Sequence, residues 1–250
     1  MLTNILITGA GSGIGCALAI AYARSGVNLF LCGRDLQKLQ ATKSLCEELG
    51  ATVFLEVLDV ADEQATKNWI EKIEDIDLVI ANAGVSAGTA GGTESFAQVK
   101  KIFTTNLDGV LHVIHPAIEK MKQKESGQIA LISSLAGFRG LPSSPAYSAS
   151  KAAVRVYGEA LRGNLSRFGI KVNVVCPGYV KTPMTDVNDF YMPFLMSAEK
   201  CAQIIKCGLA RNKARIAFPF LLYFVLWFVT LLSPTITDPI FSRLPGKKSF

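Results

Sequence analysis

The sequence predicts a doubly wound α/β fold: one mostly parallel sheet covered by helices on both faces, in a single domain with a hydrophobic C-terminal appendage. Three observations predict it. Strand-like and helix-like stretches alternate through residues 1–180. Runs such as Ile5-Leu6-Ile7 and Leu78-Val79-Ile80 are apolar without polar alternation, as strands covered on both faces require. A glycine-rich turn, residues 8–15, separates the first strand from the first helix.

The elements follow in order. Residues 4–8 form a buried strand, and 14–25 a helix closed by Gly26. Residues 28–32 form the second strand. Asp35 then caps a helix running to Leu49, with Gly50 at its end. Residues 53–58 are a third strand, 63–73 a helix and 78–81 a fourth strand. The long helical stretch 95–124 contains Gly109 and Pro116, which predict a kink or interruption. Residues 129–133 are a fifth strand, 146–168 a long helix and 171–176 a sixth strand.

Composition bounds the function. Half of the 250 residues are hydrophobic and only 18% are charged, which excludes intrinsic disorder, while Gly and Pro fall far below collagen levels. The net charge of +6 raises nucleic acid as a partner, but Lys and Arg are spread along the chain without an Arg-rich helix or zinc-finger spacing, so no nucleic acid is expected. Cys16, Cys32, Cys46, Cys176, Cys201 and Cys207 include no CxxC pair and lie in apolar runs, which reads as a reduced, cytoplasmic protein using Cys as a small hydrophobe. The two histidines, His112 and His115, share a helix face without a completing Cys or carboxylate pattern, so no metal is expected; their scarcity also argues against a Ser-His-Asp hydrolase. Met1 leads straight into the first strand without a signal-peptide pattern.

The chemistry begins at the glycine turn, Thr8-Gly9-Ala10-Gly11-Ser12-Gly13-Ile14-Gly15. Glycines here turn the chain sharply and let a pyrophosphate approach backbone N–H groups at a helix N-terminus. The spacing is TGxxxGxG rather than GxGxxG, because Ile14 stands at the third glycine position. Asn82-Ala83-Gly84 follows the fourth strand, and Asn106 lies in the next long helix. Ser134 precedes Tyr147 by 13 residues, Tyr147-Ser148-Ala149-Ser150-Lys151 reads YxxxK, and Pro177-Gly178, with Val180 and Thr182, follows the sixth strand. This ordered set, spanning residues 3–182, resembles the short-chain dehydrogenase/reductase family in its compact type.

The resemblance implies a Rossmann-like dinucleotide-binding and catalytic core over residues 1–182 and a substrate lid with a following helix or strand over 183–217; the chain's own residues make 218–250 a hydrophobic segment and tail. It implies Asn106, Ser134, Tyr147 and Lys151 as the catalytic set. Lys151 would also hold the nicotinamide ribose, Ser134 would bond the reacting oxygen, and Asn106 would steady a helix bend and a water leading to Lys151. Ser133 is the rival for the serine role, and the 13-residue spacing favours Ser134.

The residues also make physical sense by themselves. Tyr147 and Lys151, four apart on a helix, share a face. A free phenol titrates near ~10, and a neighbouring ammonium together with an oxidised nicotinamide favours the phenolate, so a lowered pKa is expected. Tyr147 then gives a proton to a carbonyl in reduction or takes one from an alcohol in oxidation.

For the cofactor, Asp35 lies 20 residues after Gly15, but the acid of NAD-type members stands at the end of the second strand, where this chain has Gly33. Arg34 follows, placed to meet a 2′-phosphate, so NADP(H) is expected over NAD(H). The basic residue that some NADP-using members carry in the glycine loop is replaced by Ser12. Asp59-Val60 resembles the family's adenine-edge contact.

The lid segment, residues 183–199, holds Met184, Met192 and Met196 with Phe190, Tyr191 and Phe194, and neither Arg nor His. An adaptable apolar cover favours a hydrophobic ketone or alcohol over a small acid. Residues 218–232 carry six of the 22 aromatics and are apolar all round. As one 15-residue helix they would span about 22 Å, short of a ~30 Å hydrocarbon core. Five basic residues and no acid lie between Lys200 and Ala217, which suits an anionic lipid surface; burial of 218–232 in a dimer or against the lid, and a true span, are the alternatives. The expected function is reduction of a lipophilic ketone, such as a keto-lipid or 3-keto sphingoid base, by a homodimer or homotetramer peripheral to the cytoplasmic face of a membrane. A non-catalytic redox sensor or scaffold, and a nucleotide-sugar epimerase or dehydratase, are the alternatives.

Overall fold

A computed structural model describes residues 2–243 and 247–249. Its seven strands form one parallel sheet in the order β3-β2-β1-β4-β5-β6-β7. They are β1 (Asn4–Thr8), β2 (Asn28–Gly33), β3 (Thr52–Val57), β4 (Leu78–Ala81), β5 (Gly127–Ile132), β6 (Ile170–Pro177) and β7 (Arg215–Phe218). The expected six strands are all present with ends shifted by a few residues. The seventh, Arg-Ile-Ala-Phe, has no range in the sequence reading because its four residues open on a basic position and run straight into the apolar stretch 218–232; it registers on β6 from Val174↔Arg215 to Pro177↔Phe218.

Alternation along the strands builds two cores. Ile5, Ile7, Leu29 and Leu31 point to one face and pack with helices α1 (Gly13–Tyr22), α2 (Leu36–Glu48) and α8 (Ala198–Ala210). Leu6, Val79, Ile129 and Val172 point to the other, against α3 (Glu63–Glu71), α5 (Gly109–Gln123) and α6 (Pro145–Leu165). The strand order reverses at β1, which lies between β2 and β4: Ile7 registers with Leu31 on one side and Ile80 on the other. Beyond the carboxyl ends of these strands lies the crevice where α/β sheets bind ligands.

The predicted 95–124 stretch is interrupted, though not at Pro116, which α5 accommodates. The break falls between α4 (Phe96–Phe103) and α5, where Thr104–Asp108 forms one turn of π-helix. Such a widened turn redirects side chains, and here it carries Asn106. His112 Nδ1 lies 2.9 Å from the Val60 carbonyl and His115 Nε2 lies 3.0 Å from the Tyr157 hydroxyl, so both histidines join neighbouring elements.

The single helix expected over 218–232 is corrected. Helix α9 covers only Phe220–Val229, about 15 Å. The Thr230 hydroxyl bonds back to the Trp227 carbonyl at 2.6 Å, and α10 (Pro234–Phe241) begins after Ser233. Among the described residues no helix is long and apolar enough to cross a membrane. Leu222, Tyr223 and Leu226 pack inward on Leu135, Val174 and Cys176, while Phe220, Phe224 and Phe228 stay exposed. Two of the five basic residues of 200–217 are engaged internally: Lys206 Nζ donates to the Ala21 carbonyl, and Arg215 pairs with Glu159.

Candidate active site

A cleft of about 450 Å³ opens at the carboxyl edge of the sheet. Its floor is the glycine turn. A Cβ on Gly15 would stand 2.3 Å from the Gly9 carbonyl oxygen, so only glycine lets the first helix start so close to the strand. Gly9 and Gly13 adopt φ of 64° and 55°, the left-handed region that favours glycine. Thr8 is buried, and its hydroxyl accepts from the N–H groups of Asn82 and Ala83, both at 3.0 Å; Asn82 Nδ2 returns a bond to the Thr8 carbonyl at 2.9 Å. The turn and the Asn-Ala-Gly segment after β4 are thereby locked together.

Gly9, Gly11, Ser12, Gly13, Ile14, Arg34, Asp59, Val60, Asn82, Ala83, Gly84, Ser134, Tyr147, Lys151, Pro177, Gly178, Val180 and Thr182 all line this cleft. Thr8, Gly15 and Asn106 stand behind its wall and shape it. Lys38, Val85 and Thr105 also line it and have no place in the sequence reading, and Met184 of the expected lid lines it too. Lys38 was the legible one: it sits four residues after Arg34 on the first turn of α2, beside Gly11. Asp35 caps α2 by accepting from Lys38 N at 3.2 Å and pairs with its ammonium, so this carboxylate is engaged on the helix. Arg34 reaches Asp59 at 3.5 Å with its guanidinium largely exposed to the cleft.

At the other end, α6 presents Tyr147 and Lys151 together, with the ammonium 5.9 Å from the centre of the phenol ring. Lys151 is buried and donates to the Ile132 carbonyl at 2.9 Å; burial holds its pKa at about 8. Ser134 bonds to Tyr147, whereas Ser133 turns away and donates to the Lys151 carbonyl at 2.7 Å. The expected lowering of the Tyr147 pKa is corrected for the chain alone: burial raises it, against the opposing Ser134 hydrogen bond, and nearby Tyr179 adds to the rise. The phenol therefore stands protonated, as a donor.

Asn106 does not touch Lys151. Its Oδ1 accepts from Val85 N at 2.8 Å, and its Nδ2 donates to Val85 O at 2.9 Å and to Ser150 Oγ at 3.1 Å. Gly84 lies between the two side chains: a Cβ there would stand 3.1 Å from Asn106 Oδ1 and 3.4 Å from Lys151 Nζ. The lid opens on the short helix α7 (Pro183–Asp186) and folds back on itself, since Val180 bridges Met196 and Lys181 N donates to the Met196 carbonyl at 2.8 Å. Phe190 meets Tyr179 edge-on at 6.3 Å.

A glycine-floored crevice at the strand-order reversal, ending at a Tyr-Lys pair, defines a nucleotide-dependent oxidoreductase. The chain belongs to the short-chain dehydrogenase family, whose pattern matches residues 3–189. It is 37% identical over 240 residues to an uncharacterized oxidoreductase of Myxococcus xanthus, covering 94% of this chain and 93% of that one. It is 35% identical over 181 residues to a 3-oxoacyl-(acyl-carrier-protein) reductase of Rickettsia prowazekii, covering 72% and 74%. A short-chain dehydrogenase from Sphingobium yanoikuyae, solved with NADPH, superposes with a TM-score of 0.82 at 25% identity, over 100% of this chain and 99% of that one. The protein is an enzyme of this family and uses a nicotinamide dinucleotide.

Proposed function

We propose that the protein is an NADP(H)-dependent reductase of lipophilic ketones, in which Tyr147 gives the proton, Ser134 holds the reacting oxygen and Lys151 orients the cofactor's ribose. The observation that carries this reading is the meeting of Ser134, Tyr147 and Lys151 at one end of the glycine-floored cleft, with Tyr147 held protonated. The cradle fits a dinucleotide: the close approach at Gly15 leaves backbone N–H groups free of side-chain cover, as a pyrophosphate needs. A bound nicotinamide dinucleotide supplies the hydride. The chain's own residues do the rest. Gly9 to Gly15 with Asn82, Ala83 and Gly84 would hold the cofactor, and Pro177, Gly178, Val180 and Thr182 would close over it. Asn106 positions the Val85 backbone and α6, and so acts through them.

Support for NADP(H) comes from Arg34, with Lys38 beside it, at the cleft end where a 2′-phosphate would lie; the NADPH of the Sphingobium enzyme and the 3-oxoacyl substrate named for the Rickettsia relative agree with a ketone reductase. We further read the exposed α9 ridge as a reversible membrane-surface attachment at the cytoplasmic side, feeding lipid-borne ketones to a homodimer or homotetramer, with keto-lipids such as 3-keto sphingoid bases as the narrower substrate class. Consumption of NADPH against a panel of ketones graded by chain length tests the function. Turnover rising with chain length is the expected result, and turnover of none of them rejects the reading.

A further inference from the structure

Residues 247–249 of the C-terminal tail return to the neighbourhood of Tyr147. The Gly88 N–H donates to the Lys248 carbonyl at 2.6 Å and the Ala90 N–H to the Lys247 carbonyl at 2.8 Å, so the tail is held to the loop after β4 by its backbone. Gly88 is shaped for it: a Cβ there would lie 2.4 Å from both the Lys247 Cβ and its carbonyl oxygen. Lys248 pairs with Asp189 of the lid at 3.2 Å. Lys247 points inward. Its ammonium donates to Ser86 Oγ at 2.5 Å and lies 5.2 Å from the centre of the Tyr147 ring.

This ammonium is undercompensated. It has three donors, and among the described residues Ser86 is its one hydrogen-bond acceptor, with no carboxylate in ion-pair range. Burial lowers its pKa to about 8, so it remains mainly charged at neutral pH. A partly buried cation with free donors is costly unless a partner arrives, and the partner that returns the most is an anion. The lid, by contrast, offers apolar side chains.

We propose that Lys247 is a specificity-determining residue that binds a carboxylate carried by the substrate close to its ketone, so that the preferred substrate is an amphipathic oxo acid with its apolar chain under the lid. The expectation of a plain hydrophobic ketone arose because residues 183–199 hold neither Arg nor His; the cation comes instead from Lys247, 48 residues beyond the end of that segment. The proposal rests on the ketone-reductase reading and, within it, favours oxo acids over the amine-bearing 3-keto sphingoid bases.

Equilibrium binding by calorimetry separates the two. Medium-chain β- and γ-oxo acids, their methyl esters and the matching ketones without a carboxyl group are titrated into the full chain and into Lys247→Met and Lys247→Arg. The acid is expected to bind at least ~10-fold more tightly than its ester, the scale of a charge-assisted hydrogen bond. Lys247→Met should abolish that difference with ester binding unchanged, and Lys247→Arg should keep part of it. Failure of both acids to outbind their esters, or a preference that survives in Lys247→Met, overturns the proposal. Because binding is read without turnover, an enzyme that binds the acids through Lys247 yet reduces none of them would sink the reductase reading alone.

Discussion

Asn106 clamps Val85 by both of its backbone groups, accepting from the N–H at 2.8 Å and donating to the carbonyl at 2.9 Å. The π-turn at Thr104–Asp108 lets a helix residue reach the loop after β4 in this way. The clamp fixes the start of the segment that runs from Gly84 past Ser86 to Gly88, between cofactor cleft and tail.

Asn106→Ala leaves two partly buried backbone groups without partners, each worth about 1–3 kcal/mol. A loss of about 2–4 kcal/mol in urea unfolding is expected. Asn106→Asp, which keeps the acceptor and loses the amide donor, should lie between the two. Unchanged unfolding of the alanine variant would show that the clamp carries no weight.

Tyr147→Phe keeps the ring and removes the proton donor. Turnover should fall at least ~10²-fold, while NADPH binding followed by fluorescence remains within a few-fold of the wild type. Near-normal turnover of a true substrate would remove Tyr147 from its proposed role.

Much of the fold was legible because buried parallel strands write themselves as plain apolar runs, as β1 and β4 do, whereas β3, with Thr52 and Glu56 in its run, is only partly buried. Strand β7 was not legible, since its pairing depends on the edge that β6 offers rather than on its own four residues. The glycine turn and the Tyr147-Lys151 spacing are local patterns, readable without coordinates. Lys38 was half-readable from its helical spacing to Arg34. Lys247 was not readable at all, because nothing local to residues 247–248 indicates that the tail crosses back to Gly88 and Ser86. Tyr147's raised pKa was equally hidden: burial is a property of the packed site, and neighbouring charge alone suggested the opposite direction.

Arg34 faces the cleft with Asp59 as its one ionic partner among the described residues, at a distance that leaves its fork free for a phosphate. Arg34→Ala should move the NADPH-to-NADH preference by about 10–150-fold toward NADH, corresponding to roughly 1.5–3 kcal/mol. Steady-state kcat/KM with each cofactor measures this. Equal use of both by the wild type would already contradict the proposed preference.

Asp77 gives the stability a pH dependence. Burial alone would raise its pKa, but bonds from Asn4 N at 3.0 Å, Thr3 N and Oγ1 at 2.8 Å and Lys124 at 3.1 Å outweigh that and hold it at about 2. The folded value is below the unfolded one of about 3.9, so the contribution is full above that pH and fades as pH falls toward 2. Allowing for solvent screening, it is on the order of 1 kcal/mol. Asp77→Asn should lower the Tm at pH 7 and converge with the wild type near pH 2; an unchanged difference across that window would rule out the carboxylate as its source.

The α9 ridge gives the last prediction. Phe220 is 74% exposed, Phe228 52% and Phe224 49%, and Phe220 stacks on Phe224, which in turn meets Trp227. An apolar aromatic ridge of this kind requires a cover, and rings at interfacial depth suit a bilayer surface, whereas a ten-residue helix is too short to span one. The helix that carries the ridge starts beside the site, since a Cβ on Gly178 would meet Pro219 at 2.9 Å and Leu222 on the helix's inner side at 3.5 Å. Ending the chain near residue 215 would strip β7 from the sheet, so the test uses Phe220→Ser, Phe224→Ser and Phe228→Ser combined. The wild type should float with anionic vesicles at low salt, the triple variant should stay behind, and both should keep the same Tm within a few degrees. Salt should weaken the wild-type binding without abolishing it, because exposed Lys200, Arg211 and Lys213 are screened while the aromatic contribution is not. A wild type that ignores the vesicles and runs as an oligomer, with the triple variant falling to monomer, would instead assign the ridge to contact between copies of the chain.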